Sequence, residues 1–186
     1  MAESTLEFES EREFHKLYDE KPKNLELVER VLGVNLVARG TSLKISGDEK
    51  NLFKCEELFS LLNLGQSHGI TPKGADFLRF VERVDSGQTQ DLRDLVTNPL
   101  VLKIRKTSIV PRNLSQRRFL DLILQHDLVF GIGPAGTGKT FLAMIVALDS
   151  LLKGEVQRIV LARPAVEAGE ALGFLPGDLE EKLLPY

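Results

Sequence analysis

Apolar positions recur every three to four residues through the first half of the chain. In the second half they give way to short unbroken apolar runs. The first rhythm predicts amphipathic helices and the second predicts strands buried on both faces. Asn24 can cap a helix whose apolar positions are Leu25, Val28, Val31 and Leu32, with Gly33 as its stop. Val34–Arg39 and Ser42–Gly47 read as two short strands. Gly40-Thr41 between them places glycine first in a II′-type hairpin turn. Gly47 or Asp48 opens a second helix through Cys55, Leu58, Phe59, Leu61 and Leu62, ending near Gly65. Thr71-Pro72 predicts a third helix start, with Phe77, Leu78, Val81 and Val84 as its buried face and Ser86-Gly87 as its end. Residues 23–97 therefore read as a small α+β unit.

Residues 98–186 are patterned differently. Ser115 can cap a helix through Phe119, Leu122 and Ile123. Leu128–Ile132 is a fully apolar run, and a glycine-rich loop follows it. Phe141–Leu152 is a strongly apolar helix, and Arg158–Ala162 is a second apolar run. Strand, helix, strand at this spacing predicts one βαβ crossover and hence a parallel sheet.

The loop in that crossover carries the chemistry. Gly133-Pro134-Ala135-Gly136-Thr137-Gly138-Lys139-Thr140 is a complete Walker A pattern. Glycines let the backbone turn so that its N–H groups converge on an anion, and the following helix points its positive dipole end at the same place. Lys139 is expected to reach the β- and γ-phosphates. The Thr140 hydroxyl is expected to take one position on Mg²⁺. The expected ligand is ATP. Gln116 lies upstream of the loop, and its amide has the donors and acceptor to read the N6/N7 edge of adenine. A solvated helix surface is the other reading of that glutamine. Arg163, at the end of the second apolar run, can contact phosphate on a nucleotide or a nucleic-acid strand, or pair with Glu167 or Glu170.

Charge adds two features that the net value conceals. The 186 residues hold 24 Lys plus Arg against 27 Asp plus Glu, a formal net charge of −3, which excludes a basic, whole-surface nucleic-acid binder. Residues 1–22 are acidic, with Glu3, Glu7, Glu9, Glu11, Glu13, Asp19 and Glu20, and read as a loose arm or a solvated helix. Lys103, Arg105, Lys106, Arg112, Arg117 and Arg118 make residues 100–125 basic, which reads either as a solvated linker or as an anion-facing surface. One cysteine, Cys55, permits no intrachain disulfide or multi-cysteine metal site. His15, His68 and His126 are not at ligand spacing. With no apolar run of about 18 residues and an acidic rather than basic N-terminus, the expectation is a cytoplasmic protein without a membrane span.

These residues bring a family into view. Phe130–Thr140 resembles the phosphate loop of the PhoH-like ATPases. So does Arg163-Pro164-Ala165-Val166-Glu167-Ala168-Gly169-Glu170 with Leu172-Gly173-Phe174-Leu175-Pro176-Gly177-Asp178, a stretch that generic phosphate-loop proteins lack. Residues 24–64 are similar to the small KH-like domain that precedes the ATPase in this family, although no Gly-x-x-Gly clamp is recognisable. The resemblance implies a helicase-like ATPase core and cytoplasmic work in RNA metabolism, in a family named for phosphate starvation. Its candidate partners are RNA, a ribonuclease and further copies of the chain. It also implies that Gln116 reads adenine, that Lys139 and Thr140 serve phosphate and Mg²⁺, and that Arg163 to Glu170 lie near a strand-binding face. No apolar run ending in Asp-Glu follows Lys139, since Glu180-Glu181 reads as helix surface. The expected fold is thus an α+β KH-like unit followed by a P-loop core that is cut before its Walker B acids. An ATPase, a nucleotide-binding module without turnover, and a small-molecule kinase remain as functions at this point.

Overall fold

The computed structural model describes residues 2–162 and shows a mixed α/β chain. Its first unit is built on three antiparallel strands: β1 (Ala2–Glu7), β2 (Val34–Arg39) and β3 (Ser42–Gly47), in the order β1-β3-β2. Gly40, at φ 57°, turns β2 into β3. Ala2 pairs with Gly47, and Glu7 with Ser42. Alternation decides which face is buried. Leu43 and Ile45 of β3 are fully buried, whereas Lys44 between them faces out and pairs with Glu3.

Five helices complete this unit. They are α1 (Glu11–Leu17), α2 (Pro22–Leu32), α3 (Glu49–Ser67), α4 (Ala75–Asp85) and α5 (Gln90–Thr97). The long helix α3 packs on all three strands through a core that includes Cys55, Leu58, Phe59 and Leu62. Its other neighbours are α1, α2, α4 and α5.

The acidic N-terminus is ordered rather than a loose arm. Its polar residues alternate outward along β1, while Leu6 and Phe8 pack on the core. Ser10 caps α1 by accepting a bond from the Glu13 amide. Phe14, with no exposed surface, then stacks on Phe8 at a centroid distance of 4.6 Å. Burying one such ring contributes about 2–3 kcal/mol, enough to hold a seven-residue helix in place.

Two of the predicted starts in this unit move. α2 opens at Pro22 with Lys21 as its cap, and Asn24 instead donates to the Tyr18 carbonyl. α4 opens after Gly74 rather than at Thr71-Pro72. Its buried face is Phe77, Phe80, Val81 and Val84, so Phe80 replaces Leu78. Gly33, at φ 65°, stops α2 as expected.

A second, smaller core lies beyond residue 100. The hairpin of β4 (Leu102–Ile104) and β5 (Thr107–Ile109), helix α6 (Leu114–Gln125) and helix α7 (Lys139–Leu152) enclose Leu102, Leu120, Leu142 and Val146. The basic stretch is therefore hairpin and helix, not a linker.

The expected parallel sheet is not formed among the described residues, where every ladder is antiparallel. Leu128–Ile132 and Arg158–Ala162 have no ladder partners among the described residues. Leu128, Phe130, Ile132, Val160 and Leu161 are exposed, Ile132 to 94%. A buried strand needs a neighbour on each side to satisfy its N–H and C=O groups, and no described strand pairs with either run.

Candidate functional site

The glycine-rich loop joins the end of α6 to the start of α7 and stands open to solvent from Gly131 to Thr137. Two of its turns require glycine. Gly136 lies at φ 75° and Gly138 at φ 88°, in the left-handed region that side chains rarely adopt. Gly138 is also the N-cap of α7 and contributes no side-chain cap, so the first amides of a 14-residue helix face the loop without a protein acceptor of that kind. A helix start in that state favours an anion.

Lys139 folds back over this mouth. Its Nζ donates to the Pro134 carbonyl at 2.6 Å, to the Gly133 carbonyl at 2.9 Å and to the Thr137 hydroxyl at 3.3 Å. The Thr137 hydroxyl donates in turn to the Pro134 carbonyl at 3.0 Å. Thr140, next along α7, is exposed. A phosphate group offers the ammonium a charged acceptor in place of neutral carbonyls, and charge-assisted bonds are about twice as strong. The loop thus fits a polyphosphate on three counts: a cation poised at its rim, two turns that a Cβ would strain, and an open helix start. The exposed hydroxyl of Thr140 is an oxygen of the kind that can take one position on Mg²⁺. No described group of three or more His, Cys, Asp or Glu side chains could hold a metal by itself.

Helix α6 brings Gln116 to the loop. Its Nε2 donates to the Thr137 carbonyl at 3.3 Å, and its Oε1 accepts from the Arg112 amide at 2.8 Å. The amide orientation follows from those two partners, one a donor and one an acceptor. A Cβ added at Gly138 would lie 3.4 Å from the same Nε2. One turn further on, the Phe119 ring packs so closely on Gly131 that an added Cβ would meet it at 3.1 Å.

The structure places Gly133, Pro134, Ala135, Gly136, Thr137, Gly138, Lys139, Thr140 and Gln116 on one open loop and its flanking helix starts. Arg163 and Glu167 lie outside the described residues, as do the rest of Arg163–Glu170, Leu172–Asp178 and Glu180-Glu181. Two neighbouring residues escape sequence reasoning. Asn113, rather than Ser115, caps α6 by accepting from the Gln116 amide at 2.9 Å. Its Nδ2 donates to Asp76 of α4 at 2.8 Å. The signal for Asn113 is present as a capping residue followed three places later by Gln. Nothing local marks Asp76, which lies 37 residues away.

The far end of α7 is also tied. Asp149, 5% exposed, accepts from Lys153 at 2.6 Å, and that bond holds the Lys153 ammonium above its ordinary pKa. The β4–β5 hairpin packs on α7 and turns through Arg105-Lys106, with Arg105 at φ 54°. Lys103, Arg105 and Lys106 are exposed at its tip.

No described helix is long and apolar enough to cross a membrane. No solved structure matches the chain. The family model described as PhoH-like protein matches residues 108–186. A PhoH-like protein of Bacillus subtilis is 36% identical over 91% of this chain and 53% of its own length. One from Mycobacterium leprae is 41% identical over 88% of the chain and 47% of its own length. Protein PhoH of Escherichia coli K12 is 40% identical over 54% of the chain and a quarter of its own length. The chain spans about half the length of the first two relatives. Likeness of this extent, running through the phosphate loop and well upstream of it, places the chain in the PhoH-like protein family.

Proposed function

We propose that this chain carries the nucleotide-gripping part of an ATPase that works on RNA. The observation that carries the reading is Lys139 at the rim of an open loop, bonded among the described residues only to the loop's own oxygens. ATP would exchange those oxygens for its β- and γ-phosphates, Thr140 would hold Mg²⁺, and the α7 dipole would favour the spreading charge. Positioning and charge stabilisation by Lys139 and Thr140 would be this chain's share of phosphoryl transfer to water.

Gln116 supports the choice of adenine. Each of its amide atoms has capacity left over. Oε1 retains a lone pair for the adenine N6–H, and Nε2 retains a hydrogen for N7.

The RNA side of the reading rests on charge and on the first unit. Lys103, Arg105 and Lys106 share one exposed hairpin tip and form none of the ion pairs among the described residues. Three antiparallel strands covered by a long helix support the KH-like reading of the first unit. Its α1–α2 turn, however, carries Asp19 and Glu20 at φ 58° and 55°. That turn carries no Gly-x-x-Gly clamp, and its Asp19 is paired with Lys21 and Lys73, so RNA would meet the hairpin instead. The same reading extends to a cytoplasmic role in RNA metabolism and the phosphate-starvation response, with a ribonuclease or further copies of the chain as partners.

The test is ATP affinity of the full chain with and without Mg²⁺. Thr140→Ala should lose about tenfold in the presence of Mg²⁺ and little in its absence. Equal loss in both conditions would overturn the assignment of Thr140. Phosphate release measured in parallel separates an ATPase from a module that binds ATP without turnover.

A further inference from the structure

Recognition of adenine by a glutamine depends on which way its amide faces. At the edge in question adenine offers a donor at N6 and an acceptor at N7. Guanine offers two acceptors, O6 and N7. A glutamine held with Oε1 towards the six-position accepts from N6–H of adenine but meets O6 of guanine, oxygen against oxygen. One free to turn that oxygen away can bring its NH₂ group to O6 and N7 instead.

Here the amide is held at both ends. The Arg112 N–H points at Oε1 and the Thr137 carbonyl points at Nε2. A flip would set an NH₂ against an N–H and an oxygen against a carbonyl, replacing two bonds with two repulsions. The clamp depends on where α6 begins, because Arg112 immediately precedes its cap. Asn113 sets that start by accepting at Oδ1 from the Gln116 backbone N–H, and its own Nδ2 donates to Asp76 Oδ2. Asp76 belongs to α4 of the first unit, on the wall of a cleft of about 210 Å³ that Asn113 and Leu114 line from the other side. Four bonds therefore run from α4 to the phosphate loop: Asp76 to Asn113, Asn113 to Gln116, and Gln116 to Arg112 and to Thr137.

We propose that Asp76, acting through Asn113, is a positioning residue for purine choice. It fixes the first turn of α6 so that Gln116 keeps the one amide orientation that accepts ATP and rejects GTP. The first unit is then part of the nucleotide specificity of the second. This inference rests on the phosphate-loop reading above.

The experiment is calorimetric titration of Mg·ATP and Mg·GTP into the full chain and into its Asp76→Ala and Asp76→Asn variants. The wild type should prefer ATP by about tenfold or more, the scale of one well-made polar contact against its mismatch. Asp76→Ala should shrink the ATP-to-GTP ratio about three- to tenfold, with α6 still capped by Asn113. Asp76→Asn, which keeps an acceptor for Asn113, should restore the ratio. A ratio left intact by Asp76→Ala, or both nucleotides weakened equally, would overturn the proposal while leaving the phosphate-loop reading standing. A wild type that binds both nucleotides equally would also overturn it. Failure of the wild type to bind either would overturn both readings.

Discussion

Gly131 and Phe119 touch closely enough that a single added methyl would lie 3.1 Å from the ring. This contact seats α6 against the entry to the phosphate loop, two residues before the Walker pattern begins. Gly131→Val should push the ring outward at a cost of about 1–3 kcal/mol. It should also weaken ATP binding several-fold by shifting Gln116 and the loop together. Denaturant unfolding alongside nucleotide titration would check both. A stable variant with unchanged affinity would show that α6 does not need this seat.

The basic hairpin yields a prediction in salt. If RNA phosphates meet Lys103, Arg105 and Lys106, each contact releases condensed counterions. Replacing all three by alanine should reduce the slope of log affinity against log salt by about 2, at about 0.7 per phosphate contact on a single strand. Filter binding of a poly-U oligonucleotide over a salt series would read it. An unchanged slope would move any RNA contact elsewhere on the protein.

Asp19 makes acid stability depend on one turn. Its bond from Lys21, reinforced by Lys73, holds the carboxyl below its ordinary value of 3.8, although burial pulls the other way. A lowered folded pKa gives stability that is present above the unfolded value and lost as pH falls through the folded one. The lysines are exposed, so the contribution is at most about 1 kcal/mol. Asp19→Asn should therefore melt below the wild type at pH 7, and the gap should close below about pH 4. A gap of constant size from pH 7 to pH 3 would mean that the ion pairs contribute nothing.

Cys55 should be silent in the native state. It has no exposed surface, and burial pushes its thiol up to about 12. A thiol reagent at pH 8 should modify almost none of it until denaturant is added, and then one thiol per chain. Rapid native labelling would mean that α3 opens far more readily than its packing implies.

Sequence pattern revealed those parts of the fold whose signal is local. β2 and β3 alternate and enclose Gly40, and the N-terminus of α7 coincides with Lys139. β1 was hidden because its inward residues are Ala2, Ser4 and Leu6, only one of them large and apolar. β4 and β5 are three residues each, and Arg105 stands at a left-handed turn position where glycine would have given the hairpin away. The opposite error arose at Leu128–Ile132 and Arg158–Ala162. Their composition suits strands buried on both faces, but burial also requires neighbours, and no described strand pairs with either run. At the site, the loop and Gln116 were legible from residue type and order. Asp76 was not, because a bond spanning 37 residues leaves no mark on either segment.

The central claim is that the loop around Lys139 grips a nucleoside triphosphate. Calorimetric titration of Mg·ATP into the wild type and Lys139→Ala addresses it most directly, with a thermal melt of each to confirm the fold. The wild type should bind one ATP per chain. The variant should lose about a hundredfold in affinity, because a charged bond to phosphate disappears from a site built around it, and should melt close to the wild type. Equal affinity in the two proteins would contradict the account.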